Sequence, residues 1–155
     1  MKPLIPLEFK HRLKQEALRL GFADCRVTHA DDIAPEEQAR LLDWLARGHH
    51  DRMAYMAKEP LKRTKPRELL ADAQSVVCLS ARYAASQHES SAPAGFGRVA
   101  RYARGADYHR VLGVPLKALE AWLVEQGGPQ TMTRRFCDAG PLLERAFAAR
   151  AGLGF

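Results

Sequence analysis

The stretch Ser75-Val-Val-Cys-Leu-Ser-Ala81 is short, nearly continuous in apolar side chains and rich in β-branched residues. Such a run is typical of a strand that is covered on both faces, in a sheet with helices on either side. We therefore interpret it as the central strand of the fold and assign the neighbouring elements relative to it.

Helical and strand patterns alternate along the rest of the chain. Apolar side chains at helical spacing predict helices over residues 7–20, 35–48, 111–127 and 141–152. Residues 23–28 and 131–137 are expected to be strands, and the Ser/Ala/Pro/Gly-rich residues 82–97 a long loop. Gly113 and Pro115 are poor residues for a helix interior and should kink the third helix or delay its start. This order predicts a layered α/β domain.

Composition limits the class of protein. The 155 residues, 46% of them hydrophobic and 27% charged, suit one soluble domain with a modest core. No apolar stretch is long enough to cross a bilayer and no leader peptide is visible, so a cytoplasmic location without a membrane partner is expected. The net charge of +6 fits a partner that carries phosphates, although many basic proteins bind no RNA.

The cysteines exclude some kinds of site within this segment. Cys25, Cys78 and Cys137 lie far apart and form no C-x-x-C pair. Neither a disulfide framework nor a zinc or iron-sulfur site is encoded here, and free buried thiols are expected.

Three further patterns are weak signals. Residues 95–100 fit the G-x-G-x-x-A dinucleotide pattern, but a loop precedes them instead of a strand. The adjacent His49 and His50 lack a third metal ligand at suitable spacing, so a surface turn is expected. The basic residues within 58–67 could bind a phosphate or a corrin amide, or form a solvated loop.

The segment Arg101-Tyr-Ala-Arg-Gly-Ala-Asp-Tyr-His109 is more distinctive. Asp107 lies near the start of the third helix, where free backbone N–H groups stabilise a carboxylate. The tyrosines and arginines offer flat faces and donors suited to a large ring system fringed with amides. An aromatic cap packed over the helix start is an equal alternative.

The segment Cys137-Asp-Ala-Gly-Pro-Leu-Leu-Glu-Arg145 places Asp138 after a predicted strand and before a helix. Ligands of open α/β sheets bind in such crevices, and a carboxyl partly desolvated there has a raised pKa that suits a general acid. The alternative is a turn or helix-capping aspartate. Glu144 and Arg145 could equally be a solvated pair.

Taken in order, the motifs R-Y-A-R-G-x-D-Y-H, D-x-G-P-L-L-E-R and A-x-x-A-G-L-G-F resemble the signature of the epoxyqueuosine reductases. The resemblance covers essentially the whole chain. It implies a layered α/β domain related to the flavin-reductase and reductive-dehalogenase type of cobalamin enzymes. Residues 1–155 would be the N-terminal part of the cobalamin-binding catalytic domain, incomplete at its C-terminus, without the ferredoxin-like and helical-repeat parts.

The function implied by this resemblance is an oxidoreductase step in tRNA processing. Proteins of the family use base-off cobalamin, reduced through two 4Fe-4S clusters, to remove the epoxide oxygen of epoxyqueuosine at the tRNA wobble position. The implied partners are therefore tRNA, cobalamin and an electron donor to the iron-sulfur clusters, and this segment alone would be inactive.

The resemblance also implies site residues. Asp138 matches the family's proton-donating aspartate, and Ala100 stands where some members carry a cysteine beside the cobalt, which excludes a thiol contact there. Gly113 and Pro115 depart from the family pattern and could shift a wall of the pocket. The implied cofactor-binding residues are Arg63, Ala100, Arg101, Tyr102, Asp107, Tyr108, His109, Asp138 and Arg145.

Two alternatives stay open. A cobalamin-dependent reductase of a small molecule would not need a basic, tRNA-sized face. A non-catalytic RNA-binding or cobalamin-binding fragment would be encoded by a gene that stops after codon 155, whereas a cysteine-rich continuation would support the enzyme.

Overall fold

The computed structural model describes residues 5–83, 95–138 and 140–154, so most of the loop predicted at 82–97 lies outside the described residues. The helices and strands, in chain order, are α1 (Leu7–Arg19), β1 (Asp24–His29), α2 (Pro35–Ala46), α3 (Ala54–Ala57), α4 (Pro66–Leu69), β2 (Ser75–Ser80), α5 (Tyr108–Gly127) and α6 (Glu144–Arg150). Within the described ranges, no helix has the length and apolar character needed to span a bilayer.

The two strands form one antiparallel ladder. Asp24 lies opposite Ser80 and His29 opposite Ser75, and the described residues add no third strand to this sheet. The sequence correctly predicted β2, but the expectation that it is buried on both faces at the centre of a larger sheet is not met here. Only Cys78 of its residues is buried.

Opposite faces of this ladder carry different apolar clusters. Cys25 faces a cluster with Leu13 and Ala17 of α1, Phe22, and Leu119 of α5. Cys78 faces the other cluster, with Ile33 and Phe147 of α6. Directly opposed residues of an antiparallel pair share a face, so the register assigns each strand residue to one cluster. The result is a layered α/β arrangement, as the sequence predicted.

One predicted strand and two predicted helix starts are wrong. Residues 131–137 form no strand, because none of their backbone pairs with β1 or β2. The last helix begins at Glu144 instead of residue 141. The long helix begins at Tyr108 and contains Pro115, so Gly113 and Pro115 do not delay its start. The cap at Asp107 and the burial of Leu119 outweigh the low helix propensity of those two residues.

Helix α6 is anchored to the loop that follows β1 by Arg150. Its Nη1 donates to the carbonyl oxygens of Asp31 and Asp32, each at 3.0 Å, and its Nη2 donates to the carbonyl of His29. The guanidinium also lies 4.7 Å from the centre of the Phe147 ring. One side chain therefore satisfies three backbone acceptors and covers the aromatic core residue of its own helix.

We expect Phe147→Ala to destabilise the fold strongly, because this ring is 0% exposed and the substitution leaves a cavity between α6 and β2. Truncation of a buried phenylalanine costs about 3–5 kcal/mol in the free energy of unfolding. Urea denaturation measures this loss. Val114→Ala on α5, at a position that is 74% exposed, is the control and should change stability by less than about 0.5 kcal/mol.

Candidate functional site

The start of α5 is fixed by its own cap. Asp107 Oδ1 accepts the backbone N–H of His109 at 3.0 Å, and His109 Nδ1 lies 2.9 Å from the same oxygen. The interaction with the His109 side chain, followed by the hydrogen bond from the backbone, lowers the pKa of Asp107. The capping role predicted for Asp107 is confirmed, and it places Tyr108 at the first helical position.

Tyr108 and Asp138 are joined by a hydrogen bond across 30 positions of the sequence, in which the Tyr108 hydroxyl donates to Asp138 Oδ2. This bond to a carboxylate, together with desolvation, raises the pKa of Tyr108 to about 12. Asp138 has a φ of 60°, a left-handed conformation that aspartate tolerates better than most residues. The alternative of a helix-capping aspartate is wrong, because Leu143 is the residue before α6 and none of the described side chains caps that helix.

Glu144 completes the group, whereas its sequence position equally allowed a solvated pair with Arg145. Its Oε1 accepts the backbone N–H of Asp138 at 2.8 Å. Burial raises the pKa of Glu144, and the charge of Asp138 adds to this effect. The sequence predicted a partly desolvated carboxyl at Asp138, but Asp138 is exposed and Glu144 is the partly buried carboxyl. The only signal in the sequence was the position of Glu144 at the start of a helix, close after the turn.

Aromatic rings extend from this group toward solvent. Tyr108 stacks on His109 with ring centres 4.1 Å apart, and its ring meets that of Tyr102 edge-on at 6.1 Å. Tyr102 in turn meets Tyr83 at 6.2 Å. We call Tyr83, Tyr102, Tyr108 and His109 the aromatic row. Tyr102 and Tyr83 are 53% and 66% exposed, so the row offers ring surface to a ligand instead of forming a closed cap over the helix.

Arg63 lies behind the start of α6 and not within the Asp138 group. Its carbonyl accepts the N–H of Leu143 at 2.9 Å, and its Nη2 donates to the Tyr55 carbonyl at 3.0 Å. The side chain is buried, with 8% exposure, and its Nε has no hydrogen-bond partner among the described residues. The interpretation of residues 58–67 as a solvated loop is therefore wrong for Arg63.

Three other predicted cofactor-binding residues, Ala100, Arg101 and Arg145, are exposed. Ala100 and Arg101 are exposed at a short 3-10 turn over Arg101–Ala103. Arg145 is exposed and lines a cavity of about 460 Å³ between β2, α5 and α6. Cys137 and Glu144 line the same cavity, so the Asp138 group lies beside a mostly apolar space.

Within the part of the chain that the structure describes, no three His, Cys, Asp or Glu residues come together as a metal site. His49 and His50 lie in a turn, as the sequence predicted. The centre of the half-buried His50 ring lies 6.1 Å from that of Trp44, a contact that the sequence did not predict. Cys25 and Cys78 are free and buried, as expected, and Cys137 is free and half-buried.

The sequence matches that of known proteins over this same region. A family model described as epoxyqueuosine reductase QueG, DUF1730, matches residues 63–139. The epoxyqueuosine reductase of Synechocystis is 43% identical over 136 residues, which are 88% of this chain and 44% of that protein. This chain belongs to the epoxyqueuosine reductase family. It spans less than half the length of the curated relatives that it matches: the Shigella dysenteriae epoxyqueuosine reductase, 35% identical over 99% of the chain, is covered to 41%.

Solved epoxyqueuosine reductases share the fold. The structure from Streptococcus thermophilus is 25% identical over 96% of this chain and 40% of its own, with a TM-score of 0.80. An epoxyqueuosine reductase solved with an epoxyqueuosine-modified tRNA-Tyr stem loop is 29% identical over 96% of this chain and 39% of its own, with a TM-score of 0.80. The Bacillus subtilis epoxyqueuosine reductase, 28% identical over the same shares with a TM-score of 0.71, was captured with an aspartate-bearing catalytic loop swung out of its active site.

We expect the Cys137 thiol to react with iodoacetamide with a pH midpoint above that of a free cysteine. Burial, followed by the charges of Glu144, Asp138 and Asp107, raises its pKa, and only the thiolate is the nucleophile. Reactivity therefore increases as pH rises through this elevated pKa. Mass spectrometry of the peptides separates Cys137 from Cys25 and Cys78, whose pKa values burial raises to about 11.

Asp138→Asn should move the Cys137 midpoint downward, since it removes one of the neighbouring negative charges while preserving side-chain volume. A Cys137 midpoint at or below that of a free cysteine would contradict the electrostatics of this group.

Proposed function

We propose that this chain carries the acid catalyst of an epoxyqueuosine reductase, which removes the epoxide oxygen of epoxyqueuosine in tRNA, and that Asp138 donates the proton. The observation that carries the proposal is the exposed Asp138 carboxyl, held by the Tyr108 hydroxyl at the end of the aromatic row. Family membership supplies the reaction class.

The chemistry requires a proton at the epoxide oxygen. Opening an epoxide leaves negative charge on that oxygen, and a positioned carboxylic acid avoids an unstabilised alkoxide. Tyr108, with its pKa near 12, stays protonated at neutral pH and donates to Oδ2 of Asp138. The other carboxyl oxygen is then the one that would deliver the proton to the substrate. Because Asp138 is exposed, its carboxyl is accessible to a substrate and to solvent.

Cobalamin is the cofactor that we propose, and two features of the structure fit it. Arg63 has a buried Nε that lacks a partner, which suits an amide oxygen, and the aromatic row offers ring faces suited to a large macrocycle. When bound, cobalamin would supply the reducing power for the carbon–oxygen bond. The residues that would hold it are Arg63, Ala100, Arg101, Tyr102, Asp107, Tyr108, His109 and Arg145. A relation to the flavin-reductase and reductive-dehalogenase type of cobalamin enzymes belongs to the same proposal.

Iron-sulfur clusters do not fit the residues of this chain. A 4Fe-4S cluster takes four cysteine ligands, whereas the chain has three cysteines, two of them in opposite apolar clusters of the core. We therefore assign neither the clusters nor the binding of their electron donor to this chain.

The proposed RNA partner is the tRNA that carries epoxyqueuosine. The net charge of +6 favours a polyanion, and a relative at 29% identity was solved with an epoxyqueuosine-modified tRNA stem loop. A small-molecule substrate would require neither feature.

We expect Asp138→Asn, in the protein as its gene encodes it, to lower the rate of epoxide reduction by about 10²–10⁴-fold while cobalamin still binds. The amide keeps the shape of the side chain but cannot release a proton. Single-turnover assays with chemically reduced cobalamin measure this step directly, and absorbance spectra measure cofactor binding. Asp72→Asn is the matched control, because Asp72 has a similar φ of 59° outside the site. A near wild-type rate for Asp138→Asn would return Asp138 to a structural role.

We also expect the affinity for tRNA to fall steeply with salt, by at least about tenfold between roughly 50 and 200 mM, because phosphate contacts release condensed counterions. Filter binding or fluorescence anisotropy across this range gives the slope. A salt-independent affinity would contradict a partner held by phosphate contacts, and tight binding of the unmodified stem loop would show that the epoxide is not needed for recognition.

A further inference from the structure

We propose that Glu144 is a positioning residue that holds Asp138 in its reactive conformation through the Asp138 backbone N–H. The inference rests on the proposed function of Asp138 as the proton donor. It adds a residue whose carboxylate would act through Asp138 and not on the substrate.

Asp138 is tethered at two points. Its backbone N–H donates to Glu144 Oε1 at 2.8 Å, and its carboxylate accepts the Tyr108 hydroxyl. Asp138 is exposed and has a left-handed φ of 60°, so packing does not fix its conformation. The bond at its N–H fixes the backbone and the bond at Oδ2 fixes the side chain. Together they determine where the second carboxyl oxygen points.

Glu144 is attached to the rigid part of the molecule. It is the first residue of α6, whose Phe147 is fully buried and whose Arg150 binds the carbonyls of Asp31 and Asp32. The preceding Leu143 donates its N–H to the Arg63 carbonyl at 2.9 Å. Glu144 therefore connects an exposed residue to an anchored helix.

An acidic residue in the first turn of a helix also has a simpler role, because its negative charge interacts favourably with the positive end of the helix dipole. Glutamine separates the two roles. Glu144→Gln keeps a carbonyl oxygen that can accept the Asp138 N–H but removes the charge. If Glu144 acts only through the helix dipole, Gln should affect amide exchange and kcat as much as a side chain without an acceptor. If Glu144 positions Asp138, both quantities should stay close to wild type with Gln.

Amide hydrogen exchange at Asp138 tests the tether without any assay of activity. We expect Glu144→Met, which is of similar length but lacks a strong acceptor, to accelerate exchange of the Asp138 amide by about tenfold or more. Glu144→Gln should stay within about threefold of wild type, and the Phe147 amide inside α6 should be unaffected in both. If the Phe147 amide exchanges faster in the Met variant, α6 itself is disturbed, and Glu144→Ala replaces Glu144→Met in the comparison. Glu120→Met is the matched control, since Glu120 lines the same cavity but binds Thr133 and Arg135.

Steady-state kinetics test the same variants in the protein as its gene encodes it. Glu144→Met should lower kcat by about 10–100-fold with little change in KM for the modified stem loop, because the acid is displaced while the binding surface stays. Glu144→Gln should recover most of kcat.

Equal exchange at Asp138 in all variants, or equal damage by Met and Gln, would overturn the positioning role. If amide exchange responds as expected but Asp138→Asn reduces the epoxide at the wild-type rate, Glu144 does hold Asp138, and the proposed role of Asp138 as the acid catalyst is wrong.

Discussion

The antiparallel ladder between β1 and β2 sets the positions of the helices that pack against it. Its faces carry different apolar clusters, one with α1 and α5 and the other with α6. A slip of one residue in register would place Cys25 and Cys78 on the same face, so one strand would turn its apolar side chains away from their cluster. The ladder therefore fixes where α5 and α6 lie, and a side chain at the N-terminal end of each helix binds Asp138.

That meeting point shows how an exposed functional group can be held without burial. Asp138 has little packing around it, and hydrogen bonds from Tyr108 and to Glu144 take its place. Each partner is fixed by another contact: Tyr108 follows the Asp107 cap, and Glu144 follows Leu143, which is bound to Arg63. Hydrogen bonds to two anchored neighbours therefore hold this carboxyl while it stays open to solvent.

Family membership and geometry contribute different parts of the functional interpretation. The relatives supply a reaction class, and the chain spans less than half of their length. The geometry shows how Asp138 is held by Tyr108 and Glu144, and that the rings of Tyr83 and Tyr102 are exposed. Arg63 is informative because a buried guanidinium nitrogen without a partner is unfavourable unless a ligand completes it.

Local sequence patterns were sufficient for α1, β1, α2 and β2, because apolar spacing and turn residues such as Gly21, with its φ of 96°, act over only a few residues. The Asp107 cap was predictable for the same reason. The strand expected at 131–137, the antiparallel register and the partners of Asp138 were beyond such patterns. Pairing a strand, or joining Tyr108 to a carboxylate 30 residues away, depends on how helices pack against the ladder. A glutamate at position 144 is typical of a solvated side chain, so its sequence context did not indicate a contact. The bond from the Asp138 N–H to Glu144 forms because α6 packs against β2.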